Sequence, residues 1–101
     1  MAKTSSIEKN NRRRRMTAQF KTKRAALKDV IQDKSKPMEV RFEAQIKLAK
    51  MPRNSSKTRI RNRCELTGRS RGFYRKVRLC RNQLRELASQ GMIPGMTKSS
   101  W

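Results

Sequence analysis

Apolar residues recur through the first half of the chain at helical rather than strand spacing. Met16, Phe20, Leu27 and Ile31 fall on one face, with Val30 at its edge and Arg13, Arg24 and Lys28 elsewhere around the barrel. The pattern predicts one helix, or two consecutive ones, from Ile7 to Asp33. It breaks at "DKSKP", where Pro37 suits the first turn of a second helix and Glu39 suits its positive dipole end. That second helix carries a stripe of Met38, Phe42, Ile46 and Ala49, and it stops before Pro52 because a residue preceding proline is pushed out of the α region. The two stripes are read as packing on each other in a helical hairpin; the alternative is a groove that takes another protein.

Beyond Pro52 the helical period is lost. In "PRNSSKTRIRNRC", Arg59, Arg61 and Arg63 alternate, and an extended segment would point all three the same way at a spacing of about 6.6 to 6.8 Å, close to that of successive phosphates. Arginine forks onto phosphate and stacks on bases where lysine offers only a point charge. Asn54, Ser55, Ser56 and Asn62 add short side chains for sugar or base-edge hydrogen bonds. In "TGRSRGFYRK", Gly68 and Gly72 permit tight turns, and Phe73 with Tyr74 lies between Arg71 and Arg75. Such interleaving stacks unpaired RNA bases while holding their backbone; the same two rings could equally form the local core. A final helix from Arg81 to Gln90 turns Leu84, Leu87 and Ala88 inward, with Cys80 near that side and Arg81 and Arg85 on an adjacent face. Gly91 closes it as a left-handed cap. "IPG" then makes a turn before "KSSW".

Composition divides the chain at the same place. Up to Pro52, nine Lys and six Arg are mixed with five acids; beyond it, ten Arg and three Lys face only Glu65 and Glu86. The predicted organisation is a basic helical extension over 1–52 and an Arg-rich module over 53–101, mainly α with irregular segments. The whole chain of 101 residues carries 28 Lys plus Arg against 7 Asp plus Glu, a formal charge of +21, so its natural partner is a polyanion. The four adjacent cations Arg12, Arg13, Arg14 and Arg15 point all around a helix, and phosphate is the favoured contact for them. With 34% hydrophobic residues and a mean hydropathy of −1.02, the core is small, and folding is expected to be incomplete without the partner.

Several function classes are excluded or weakened. Apolar runs do not exceed three residues, so nothing resembles a secretory or membrane-spanning segment, and a cytoplasm-like compartment is expected. Glu8 and the lack of a clear apolar stripe argue against an organelle transit peptide. There is no histidine, which removes the usual base of a catalytic Ser or Cys and makes an enzyme the least favoured class. A DNA-binding module would need metal ligands or a recognition helix, and a membrane-active helix would need a strong apolar face; neither is evident.

The two cysteines, Cys64 and Cys80, pose a zinc question. A two-knuckle site would place their partners at 67 and 83, where the chain has Thr67 and Gln83, neither an accepted zinc ligand. The spacing of a zinc knuckle is present without its donors, and no cofactor is expected.

The blocks "MPRNSS" (51–56), "RIRNRCELTGRSRGFYRK" (59–76), "LCRNQLRELASQG" (79–91) and "IPGMTKSSW" (93–101) closely resemble the bacterial-type small-subunit ribosomal protein S-fourteen family. The resemblance runs in order over essentially the whole chain. The family has a short form with four zinc-binding cysteines and a long, zinc-free form with an N-terminal helical extension, and this chain is similar to the long form. Cys64 and Cys80 match the first and third metal ligands of the short form, while Thr67 and Gln83 depart at the second and fourth. The resemblance implies a zinc-ribbon-like module held by packing of Phe73, Leu79 and Leu84 instead of metal. It further implies a non-catalytic constituent of the small subunit head that binds 16S-type rRNA and supports head assembly and the conformation of the decoding region. The implied neighbours are head proteins such as S-three, S-ten and S-nineteen, with no membrane and no DNA, on a bacterial-type cytoplasmic ribosome or that of an organelle. The residues assigned to RNA are Arg12, Arg13, Arg14, Arg15, Arg53, Asn54, Ser55, Ser56, Arg59, Arg61, Asn62, Arg63, Arg69, Arg71, Tyr74, Arg75, Lys76, Arg81, Arg85, Lys98 and Trp101, the last with Tyr74 as a stacking ring.

Overall fold

The computed structural model describes residues 1–100 and is mainly helical. Helix α1 runs from Thr4 to Gln32 without interruption, since the segment is rich in Lys, Arg and Ala and holds neither Gly nor Pro. It ends where Asp33 turns the chain: its Oδ1 accepts the Ser35 hydroxyl at 2.6 Å and the Ser35 backbone N–H at 3.0 Å. Both bonds favour the charged carboxylate and hold it below its usual range. Helix α2 spans Met38–Lys50, with Pro37 at its N-cap, Glu39 in its first turn and Lys47 and Lys50 in its last. Met51, forced into extended backbone by Pro52, closes it. Two short 3-10 turns follow, Arg53–Ser55 and Lys57–Arg59.

The remaining elements are small. Strands β1 (Phe73–Tyr74) and β2 (Leu79–Cys80) pair antiparallel, Phe73 opposite Cys80 and Tyr74 opposite Leu79, and helix α3 (Arg81–Ser89) follows β2 directly. Helix α3 ends in a Schellman motif. Gly91 sits at φ +73° and its N–H reaches Ala88 O at 3.1 Å, while the Met92 N–H reaches Leu87 O at 3.0 Å.

Two compact units form, one from residues 1–8 with 61–100 and one from residues 9–60. The first is built around Cys64, Leu79 and Cys80, with Val77, Leu87 and Ile93 packed against them. Leu79 is in the core as expected, whereas Phe73 and Leu84 are only half-buried and do not belong to this cluster. The N-terminal residues complete the same unit. The Ala2 N–H donates to Thr67 O at 3.2 Å, and Ile7 lies so close to Gly68 that a β-carbon there would meet Ile7 Cδ1 at 2.6 Å.

In the second unit the inward face of α2 is not the apolar stripe. Ala44 is buried and Arg41 and Leu48 are half-buried, while Met38, Phe42 and Ile46 of the stripe are exposed. The expected packing of that stripe in a hairpin is therefore corrected. Arg41 explains the choice: its Nε donates to Ile31 O at 2.9 Å, satisfying a carbonyl in the last turn of α1 and turning the Arg41/Ala44/Leu48 face inward. From Asn10 onward the less exposed positions of α1 are Asn10, Arg13, Met16, Thr17, Phe20, Arg24, Leu27, Val30 and Ile31, a helical stripe that holds the expected apolar residues together with polar members.

Candidate nucleic-acid interface

In the first unit, four residues assigned to RNA from the sequence converge. A groove of about 540 Å³ is lined by Tyr74 of β1, Arg81, Leu84 and Arg85 of α3, and Lys98 of the C-terminal segment. Each is placed by local structure. Tyr74 is half exposed because its strand alternates and Phe73 takes the inner side. Arg81 heads α3; its backbone N–H donates to Gly72 O at 2.7 Å, and its Cγ lies 3.2 Å from where a β-carbon on Gly72 would stand. Gly72, at φ +63°, thus makes both the turn and room for the arginine stem. Arg85 follows one turn later on the same helix. An exposed aromatic ring flanked by three cations is chemistry that stacks a base and grips its phosphates.

Arg71, Arg75, Lys76 and Asn62 are exposed in the same unit, and Arg69 is half-buried. Arg63, half-buried, donates through Nη1 to Gly68 O at 3.0 Å, and Arg61, exposed, donates through Nη2 to Ser70 O at 3.2 Å. The anticipated comb of Arg59, Arg61 and Arg63 does not form. Arg59 lies in a 3-10 turn rather than in extended chain, and each of the three guanidinium groups bonds to its own neighbour. Short-range carbonyl and amide acceptors out-compete the extended geometry, though a guanidinium with five N–H donors keeps others for a ligand.

In the second unit, Arg12, Arg14 and Arg15 are exposed on α1, while Arg13 is half-buried and donates to Arg59 O at 3.2 Å. Arg59 itself donates to Asn54 Oδ1 at 3.0 Å. A second cavity, about 450 Å³, gathers Arg24, Arg53, Arg59, Ser56 and Thr58. Ser55 is 1% exposed, and its hydroxyl donates to Pro52 O and accepts from Arg24 Nη1 at 2.9 Å, so as folded it shapes the turn. Trp101 lies outside the described residues.

Sequence reasoning passed over Arg24, Arg41 and Arg78. Arg24 falls on the buried stripe of α1 one turn after Phe20, a register that could have flagged it. Arg78 adopts φ +56° at the end of the β1–β2 turn and forms an exposed ion pair with Glu65 at 3.5 Å, worth little by itself.

The donors around the two cysteines do not fit zinc. Burial pushes the Cys64 thiol up, but the Thr67 hydroxyl and the backbone N–H groups of Cys80, Thr67 and Leu66 outweigh it and bring the thiol from 9.0 down to about 6. The Thr67 hydroxyl lies 3.8 Å from Cys80 Sγ, and Thr67, Cys80 and Gln83 line one cavity. Among the described residues no group of three or more His, Cys, Asp or Glu side chains comes together. Two thiols, a hydroxyl and an amide leave a zinc ion without its tetrahedral set. Among the described residues no helix is long and apolar enough to cross a membrane.

Comparison with known proteins agrees over the full length. A family model described as ribosomal protein S14p/S29e matches residues 47–100. The chain is 66% identical over 101 residues to the small ribosomal subunit protein uS14 of Chelativorans sp. (strain BNC1), covering the whole of both. It is 64% identical to that of Mesorhizobium japonicum and 67% to that of Nitrobacter hamburgensis, again over 101 residues and the whole of each.

Proposed function

The chain belongs to the uS14 family of small ribosomal subunit proteins, bacterial in the relatives compared, and from that premise we propose that it folds and holds rRNA in the subunit head. As a member it is a structural constituent of the small subunit, in a family of structural proteins rather than enzymes. The observation that carries the RNA reading is the groove where Tyr74, Arg81, Arg85 and Lys98 meet on a chain of charge +21. Phosphates of 16S-type rRNA occupy the cationic positions, a base stacks on Tyr74, and Arg71, Arg75 and Lys76 hold the flanking backbone. In the other unit, Arg12, Arg14 and Arg15 and the cavity of Arg24, Arg53 and Arg59 bind further phosphates. Joining several RNA segments in this way supports head assembly and the conformation of the decoding region, beside head proteins such as S-three, S-ten and S-nineteen in a bacterial cytoplasmic ribosome.

The Cys64–Cys80 region is a zinc-ribbon-like module that works without metal. Convergence of Thr67, Cys80 and Gln83 on one cavity, with Thr67 bonded to Cys64, supports this reading. Native mass spectrometry of salt-washed small subunits, with metal analysis of the isolated protein, tests both parts. Retention of a zinc-free chain is the expected result; loss from the subunit overturns the ribosomal assignment, and bound zinc overturns the metal-free module.

A further inference from the structure

None of the exposed apolar residues Met38, Phe42 and Ile46 of α2 lines either cationic cavity, and the acids of the chain gather around them. Met38, Phe42 and Ile46 are 81%, 62% and 40% exposed and lie on one side of the helix. Beside them stand Glu39 and Glu43. With Asp29 and Asp33, four of the seven acids fall between residues 29 and 43, so the stretch 29–46 carries four acids against three cations in a chain of +21. One of those cations, Arg41, is turned onto Ile31 O.

We propose that this face docks a second, basic protein of the same subunit through an apolar patch edged by lysines. The inference rests on the ribosomal reading above and adds the surface and the chemistry of the partner. Phosphate repels Glu39 and Glu43 and offers apolar side chains no burial, so RNA is the wrong occupant. A second copy of this chain meeting the face symmetrically would set acid against acid. A protein that shares the same polyanion must itself be rich in Lys and Arg, and its lysines complement Glu39 and Glu43 while its apolar centre covers Phe42.

Two measurements on the full-length protein test the docking face. In salt-washed wild-type small subunits, zero-length carbodiimide coupling should join Glu39 or Glu43 to a lysine of one other subunit protein; carboxylates that stay uncoupled to protein overturn the proposal. In competition with wild type for incorporation into subunits, Phe42→Glu should lose by about thirty-fold, the size of a central anchor, with the free chain's affinity for 16S-type rRNA unchanged. Equal incorporation, or a parallel fall in rRNA affinity showing that the face lies on RNA, overturns the docking surface and leaves the RNA reading intact. Absence of the wild-type chain from washed subunits instead overturns the ribosomal reading, and the docking face with it.

Discussion

At the scale of single residues, backbone donors and close approaches set properties that residue type alone does not reveal. Cys64 is a buried thiol whose sulfur is surrounded by N–H groups and a hydroxyl, so its folded-state value near 6 lies below the ordinary 9.0. A lowered value means that the unfolded chain holds more protons between the two, so stability rises with pH through that window. The contribution is complete above about 9 and absent below about 6. Denaturant unfolding from pH 6 to 9 should show this rise in the wild type and its loss in Cys64→Ser; a flat wild-type profile contradicts the hydrogen-bonded thiolate. Gly68 offers a second test, because φ +75° and the nearness of Ile7 leave no room for a side chain. Gly68→Ala should cost about 1–3 kcal/mol in the same assay.

Among the elements, α3 carries the most of the candidate interface on the fewest residues. It starts immediately after β2, which places Arg81 and Arg85 beside Tyr74, and it ends by a cap that needs φ +73°. A β-carbon at Gly91 meets no atom within 4 Å, so the cost of Gly91→Ala is purely conformational, about 1 kcal/mol, visible as earlier thermal loss of helicity. Arg81→Ala with Arg85→Ala should leave helicity unchanged and reduce the slope of log affinity for rRNA against log salt by about two, one for each phosphate that the pair neutralises. An unchanged slope removes both residues from the interface.

For the molecule as a whole, charge dominates and the core is slight. Among the described residues the buried apolar ones are Ala44, Cys64, Leu79 and Cys80, against a charge of +21. The free protein should unfold at a low temperature that rises markedly when rRNA is added, as binding to the folded state requires. If about six to ten phosphates are neutralised, affinity should fall by about 10³ to 10⁵ between 50 and 200 mM salt. A salt-insensitive complex would show that phosphate binding is not its basis.

Local order in the chain was enough for the helices, their ends and the anionic partner. Helical periodicity, Pro37, Pro52 and Gly91 mark α1, α2 and α3 within a few residues, because these signals act over one or two turns. The family blocks likewise lie in linear order and are readable as such. The three-dimensional fold alone chose among side chains of equal chemistry. Arg12 and Arg71 remain at the surface while Arg13, Arg24 and Arg41 tie the chain to itself; Ser55 is buried while Ser56 lines a cavity. The α2 face turned inward is Arg41/Ala44/Leu48 rather than the apolar stripe, since one hydrogen bond to the end of α1 fixes the helix rotation. Such choices depend on which carbonyl, cavity or neighbour lies within about 3 Å in space, and spacing along the chain does not encode that distance.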